Sequence, residues 1–307
     1  MRVLIIGSGP AGLILGAALS GRGHHVLSVD RDAGPTDAGW RRRGVMQFEH
    51  AHNFRHQVDD LLQPEWPAAH EAWLAAGAAP IDGDRDGRGP QVRGMLSRRS
   101  TFERALRQAA GLEQGLVLKA GHVDGLVIDG GRVRGAVVDG TRIAADLVVD
   151  ASGRSGRVNS RGSRVDDRLN GDCGLAYVDR TYRLREGAAT GPMSGPLGFI
   201  GELDGYQCLV FLHEKGHFSV VLIRPTADAA LKALHSEAAF RAACGAVPVL
   251  AEWTDPARSR PTSAVLVGGA LRNVYRSQVH VPGLVTVGDA VATTTPTRGR
   301  GVAMACL

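Results

Sequence analysis

Cysteine is sparse and dispersed in this chain. Cys173, Cys208, Cys244 and Cys306 are its four, and no two of them form a C-x-x-C pair. That spacing excludes a sequence-local redox disulfide, gives no zinc pattern and points to a reducing cytoplasm. Lysine is nearly absent. Only Lys119, Lys215 and Lys232 contribute to the 36 basic residues, so the net charge of +5 rests on arginine. The excess is scattered, so it gives no indication of nucleic-acid binding, and it suits an anionic cofactor at least as well. Arg154, Arg157, Arg161, Arg164 and Arg168 fall in a loop-like stretch and read first as a solvated face. No uninterrupted apolar run reaches membrane-spanning length. The N-terminal apolar run is too short for a signal peptide and already reads as a strand.

With 307 residues, 44% apolar and 22% charged, the composition is that of a globular protein of two domains. The strongest local pattern is the first thirty residues. The run Met1 to Ile6 stops at Gly7-Ser8-Gly9-Pro10-Ala11-Gly12; a helical segment follows, and a second apolar run ends at Asp30. Strand, G-x-G-x-x-G turn, helix, strand and terminal acid make a dinucleotide-binding βαβ unit. Gly7 permits the tight turn, Gly9 lets backbone approach a pyrophosphate, and Gly12 lets helix pack on strand. Pro10 and Ala11 open the helix, whose N-terminal N–H groups favour phosphate. Asp30, 23 residues after Gly7, is placed to accept from ribose hydroxyls.

Further along, residues 57–77 carry helical spacing with Leu61, Leu62, Trp73 and Leu74 as core positions and breaks at Pro64 and Pro67. Residues 80–94 read as a Gly- and charge-rich loop or hairpin. Ser100-Thr101-Phe102-Glu103 predicts a capping box opening a helix. Residues 116–144 predict a three-stranded meander with turns at Gly130-Gly131 and Asp139-Gly140. Asp146–Asp150 predicts another parallel strand. Residues 172–225 alternate as longer antiparallel strands, with hairpin turns at Asp204-Gly205 and Lys215-Gly216. Residues 227–253 are helical, and 283–289 form a last buried strand before a Thr- and Gly-rich loop. The fold class is α/β with an α+β second domain. Residues 1–79, 95–170 and 270–307 make a discontinuous Rossmann-like nucleotide domain with the meander, and 80–94 and 171–269 an antiparallel-sheet substrate domain. Gly301–Ala305 reads as the start of a helix without room to bury a face, so a further helix is expected beyond Leu307.

Three separated pieces, GSGPAG with Asp30-Arg31, Asp146 to Arg154, and Gly283 to Gly301, occur in an order that resembles the FAD-dependent monooxygenases of the para-hydroxybenzoate hydroxylase type. The related geranylgeranyl-reductase-like and flavin halogenase-like proteins share it. R-x-G-V-x-Q at Arg42 to Gln47 and S-R-x-x-x-x-E-x-x-L from Ser97 to Leu106 strengthen the resemblance. The absence of a second G-x-G-x-x-G weighs against a flavoprotein with a separate NAD(P)H domain. The resemblance implies an FAD whose pyrophosphate lies at Gly7, Gly9 and Gly12 and whose adenosine end is held by Asp30 and Arg31. It implies Arg42 and Arg98 on the phosphates or ribityl chain, and the Val123 backbone on adenine. Asp289, after Gly288, would hold a ribityl hydroxyl. Gly299, Gly301 and Val302 would offer backbone N–H groups to the flavin, and Pro296 would lie over its ring.

Where the hydroxylases have Asp-Gly, this chain has Ser152-Gly153, closer to the reductase- and halogenase-like branch. Their G-D-A-A-H is Gly288 to Ala292 without the histidine. The halogenase W-x-W-x-I-P motif is absent, and Lys119 lies in a predicted strand rather than where the halogenase lysine would be expected. The implied function is an NAD(P)H-dependent monooxygenase hydroxylating or epoxidising a small organic or natural-product substrate. The alternatives are a flavin-dependent reductase of a hydrophobic alkene and a truncated, non-catalytic flavin-binding protein. His50 is the candidate acid–base side chain. The H-x-H-x-x-x-H run of His50, His52 and His56 is read as a helix start beside the flavin rather than a metal site. Trp66 and Trp253 are read as core, and Tyr177, Tyr182 and Phe211 as possible floor of a substrate pocket.

Overall fold

The computed structural model describes the chain apart from residues 37–38, 43, 85–89, 156–162, 166–168, 270, 279 and 307. A five-stranded parallel sheet runs in the order Leu284–Thr286, Leu147–Asp150, Arg2–Ile6, His25–Asp30 and Leu116–Ala120. The central strand is apolar without alternation because both its faces are covered. Val3 and Ile5 join a core with Leu13, Ala17, Phe102 and Leu106 from the helices. Leu4 and Ile6 pack on the other face with Val133, Ala136 and Val138 of the meander. The meander strands are Val123–Asp129, Arg132–Val138 and Thr141–Ala144, turned at two pairs of residues with positive φ. The expected first meander strand therefore splits. Leu116–Ala120 extends the parallel sheet, and only after Gly121-His122 does the chain enter the meander. The same apolar alternation serves either partner, so only the tertiary pairing divides it.

Helices Pro10–Gly21, His56–Glu65, Pro67–Ala75 and Arg99–Ala110 supply the first core. Pro64 sits in the last turn of its helix rather than breaking it, and Pro67 opens the next helix, where a lost N–H has no partner to miss. Leu62 and Trp73 are fully buried, whereas Leu74 is 39% exposed. The capping box does not form. The helix starts at Arg99 with no side-chain cap, and Glu103 turns instead to Arg42 and Arg99, at 2.6 Å from each. A charge-assisted pair in a buried setting outweighs a bond to a helix-end N–H.

Ala79–Asp84 and Pro90–Leu96 form a hairpin that also pairs with Phe54–Arg55. Part of the 80–94 stretch, 85–89, lies outside the described residues. Met95, just after that stretch, belongs to the first core, and the hairpin pairs in a three-stranded sheet with Phe54–Arg55, separate from the larger antiparallel sheet.

That second sheet has six strands. Gly198–Leu203, Tyr206–Leu212, His217–Pro225 and Leu175–Leu184 follow one another, and Ser259–Pro261 and Leu266–Gly268 share the last edge. One face packs Val178, Tyr182, Phe218 and Val220 against Phe240, Cys244, Leu250 and Trp253 of two short helices. The other carries Tyr177, Leu209, Val221 and Ile223, with Met46 and Ala51 of the first half packed against it. The C-terminal helix Gly301–Cys306 does bury a face, contrary to expectation: Val302 and Ala303 enter the first core beside helices Pro10–Gly21 and His56–Glu65. Among the described residues no helix is long and apolar enough to cross a membrane.

Candidate functional site

The site begins at the glycine turn. Gly7 has φ +105°, and a Cβ there would lie 2.4 Å from the Ala151 carbonyl oxygen. At Gly12 a Cβ would lie 2.0 Å from the Gly7 carbonyl oxygen. Neither position accepts a side chain: one seats the turn on the neighbouring strand, the other seats the helix on the turn. Above Gly9 the space is open apart from Arg42 Nη1, 3.8 Å from where a Cβ would stand. The helix that starts at Pro10 has no side-chain cap. Its free N–H groups and positive end therefore meet the cavity that Gly7, Gly9, Pro10 and Ala11 line.

Asp30 has a structural duty beside the one its spacing suggests. Its Oδ2 accepts from Ser8 N–H at 2.8 Å and from Arg42 Nη2 at 2.6 Å, and its Oδ1 from Asp32 N–H at 2.9 Å. Arg42 is buried between Asp30 and Glu103. Burial works against its charge, but Glu103 and Asp30 outweigh that and raise it above its ordinary value. Trp40 donates to Asp32 at 2.7 Å. The guanidiniums of Arg42, Arg104 and Arg107 stand 5.7–5.8 Å from its ring.

From the turn a cavity of about 1310 Å³ runs between the two sheets. Its polar end is lined by Asp30, Arg31, Arg42, Gly121 and Val123. Its middle is lined by Arg99, Arg154, Asp289, Pro296, Gly299, Gly301 and Val302. Asp289 has no hydrogen-bond donor on its carboxylate among the described residues; burial raises its pKa while Arg99, Arg154 and Arg276 oppose that shift. The far end is the inner face of the second sheet, with Leu175, Tyr177, Leu209, Phe211, Val221 and Ile223. Tyr182 faces the opposite core, stacked on Phe218.

At the junction His50 Nδ1 lies 2.5 Å from Asp179 Oδ1, and Asp179 Oδ2 accepts from Ala51 N–H at 2.7 Å. Asp179 is wholly buried on strand Leu175–Leu184. The His50 ring meets Tyr177 edge-on at 5.1 Å, and burial, with Asp179, pushes the Tyr177 hydroxyl to a higher pKa. His52, also lining the cavity, is held neutral by burial, by Arg99 and by His213. His56 turns away to Asp60 at 2.7 Å. Among the described residues no three His, Cys, Asp or Glu side chains group as metal ligands.

With this geometry in view, the family follows. The model of the family described as lycopene cyclase protein matches residues 2–166, more than half of the chain. The chain belongs to the lycopene cyclase protein family. The match spans the glycine turn, Asp30, Arg42, His50 and the Leu147–Asp150 strand; the second sheet lies beyond it. No curated protein matches the sequence. Solved structures match by fold. The flavin-dependent brominase Bmp2 is 18% identical, with 100% of this chain covering 76% of that one at a TM-score of 0.74. The myxobacterial chondrochloren halogenase CndH, an FAD-dependent halogenase, is 18% identical, 99% against 71%, at 0.75. PqsL from Pseudomonas aeruginosa, a probable FAD-dependent monooxygenase, is 14% identical, 100% against 83%, at 0.72. At such identities the likeness is one of architecture.

Within this lycopene cyclase family chain, most of the residues singled out from sequence do line one cavity. Gly12 and Gly288 support it from behind, Gly288 against Ala11. Arg98 is the exception. Its Nε and backbone N–H both donate to Glu214, at 2.6 and 2.7 Å, and its neighbour Arg99 faces the cavity instead. Adjacent arginines before a helix give no sequence signal for which one turns inward. Asp179 was missed because its strand reads as plain alternation. The signal available was a lone acid among apolar residues on the inner face.

Proposed function

We propose that this chain is an FAD-dependent oxidoreductase that works as an NAD(P)H-dependent monooxygenase on a small organic or natural-product substrate. The observation that carries the reading is the continuity of one cavity from an uncapped helix N-terminus to an apolar sheet face. The residues present suit an FAD by their chemistry. The turn at Gly7 and Gly9, with the N–H groups after Pro10, suits a pyrophosphate. Asp30 and Arg31 suit the ribose end, and the Val123 backbone an adenine. The half-buried Asp289 carboxylate accepts from no donor among the described residues, and a polyol hydroxyl beside it would supply one. The backbone of Gly299, Gly301 and Val302 would face the far end of the cofactor, next to Pro296. FAD, when bound, supplies electron transfer and activation of oxygen; the protein supplies position, charge and exclusion of water.

The test is titration of the purified protein with FAD, followed by NADH or NADPH oxidation with candidate substrates, first without and then with oxygen. Saturable FAD uptake and oxygen-dependent product formation are expected. Product formed without oxygen instead supports reduction of a hydrophobic alkene, which the apolar sheet face favours as the second reading. A protein that takes up no FAD overturns both.

A further inference from the structure

We propose that His50, oriented by Asp179, is a hydrogen-bond acceptor directed at the substrate, and that the substrate carries a weakly acidic hydroxyl which His50 binds and deprotonates. The argument starts from the buried acid. An ionised carboxylate only accepts, so Asp179 assigns the proton of neutral His50 to Nδ1 and leaves the Nε2 lone pair free. Nε2 has no partner among the described residues, and the ring lines the cavity. The second Asp179 oxygen is tied to Ala51 N–H, the residue after His50. Ring plane and tautomer are thus both fixed, with Tyr177 against the ring edge. Leu209, Phe211 and Val221 of the same cavity wall carry no side-chain acceptor; Tyr177 and Gln207 also line the cavity, but neither is a base of imidazole strength.

The transfer is a closed proton step. The substrate O–H bond breaks, its electron pair stays on oxygen, and the Nε2 lone pair takes the proton. The imidazolium then lies between the Asp179 carboxylate and the new oxyanion. The titratable and charged groups around it are Asp179 and Tyr177 on the facing strand, Arg154, whose charge reaches Tyr177, and His52 and Glu49 along its own segment. Glu49 is turned out to Arg41, at 3.4 Å. The proposal rests on reading the cavity as a substrate site, and not on which nucleotide fills the other end.

The probes are 4-nitrophenol and its methyl ether, 4-nitroanisole, bound to the full chain. Wild-type protein is expected to prefer the phenol by about tenfold or more, one hydrogen bond's worth. Its bound phenol should show the phenolate absorption at lower pH than in free solution. His50→Gln keeps a donor for Asp179 and should erase both the preference and the absorption shift. Asp179→Asn should keep binding while moving ionisation of the bound phenol back toward its solution pH, which a merely structural role would not do. The double variant His50→Leu with Asp179→Asn leaves no buried unpaired charge and serves if a single variant does not fold. Equal binding of the two probes by wild type, or an unchanged preference in the His50 variants, overturns the proposal. FAD uptake on the same samples separates the readings: a phenol preference without FAD uptake removes only the cofactor assignment, and FAD uptake without a preference removes only this one.

Discussion

Arg42 shows how single residues carry both fold and site. Its guanidinium bridges Asp30, at the tip of the second strand, and Glu103, on a helix far along the chain. Replacing it with Met would leave two carboxylates without their shared cation, and loss of one partner from a buried ion pair costs about 3–5 kcal/mol. Urea unfolding should show a loss of that order, with FAD uptake lost as well. Gly7 is a second such point. Gly7→Ala places a methyl 2.4 Å from a carbonyl oxygen at φ +105°. The turn must shift, so a loss of about 2 kcal/mol or more is expected, read by the same unfolding experiment, together with loss of nucleotide binding. The steric roles of Gly7 and Gly12 were legible in the sequence because each is local to one βαβ unit. The roles of Glu103 and Asp179 were not, because their partners lie 61 and 129 residues away.

Among the elements, the tight turn Glu214–Gly216 joins the two halves. Glu214 accepts from the Arg98 backbone, the Arg98 side chain and Thr101 Oγ1 at 2.6–2.7 Å. Burial disfavours its charge, yet Thr101 and Arg98 hold its pKa below the usual carboxylate value. Glu214→Ala strands a cation and two donors, and a loss of about 2–3 kcal/mol is expected. Limited proteolysis should then cut the joint faster than in wild type. The element types themselves were largely readable: parallel strands as apolar runs, the second sheet as alternation. What failed were boundaries that depend on a partner. The strand at Leu116 joined the parallel sheet, and the 80–94 hairpin paired with Phe54–Arg55 in a sheet of its own.

For the whole molecule, the buried histidines at this joint tie stability to pH. His213 donates to or accepts from Ser219 Oγ at 2.9 Å. Burial pushes its pKa from 6.5 to about 4, with Arg98 and His217 acting the same way and Glu214 opposing. The unfolded chain therefore takes up a proton near pH 6.5 that the folded chain refuses until about pH 4. Its contribution is fully present above pH 6.5 and is lost as pH falls toward 4, a change of about 3 kcal/mol for that histidine. His52 is shifted in the same direction. The melting temperature of wild type should drop across this interval, and that of His213→Gln should drop less.

By itself the sequence determined the Rossmann-like half. A glycine turn, a helix and an acid within thirty residues place their own chemistry, because steric exclusion and the helix end act over a few ångströms of contiguous chain. The order of its motifs also pointed to a last apolar strand, followed by Gly288-Asp289, returning to the parallel sheet. Only the tertiary structure decided what faces the parallel-sheet half across the cavity. The joining of His50 to Asp179, the choice of Arg99 over Arg98, and the burial of the last helix all depend on which faces of two sheets meet. A pattern of period two fixes two faces for a strand, but not what either of them will touch.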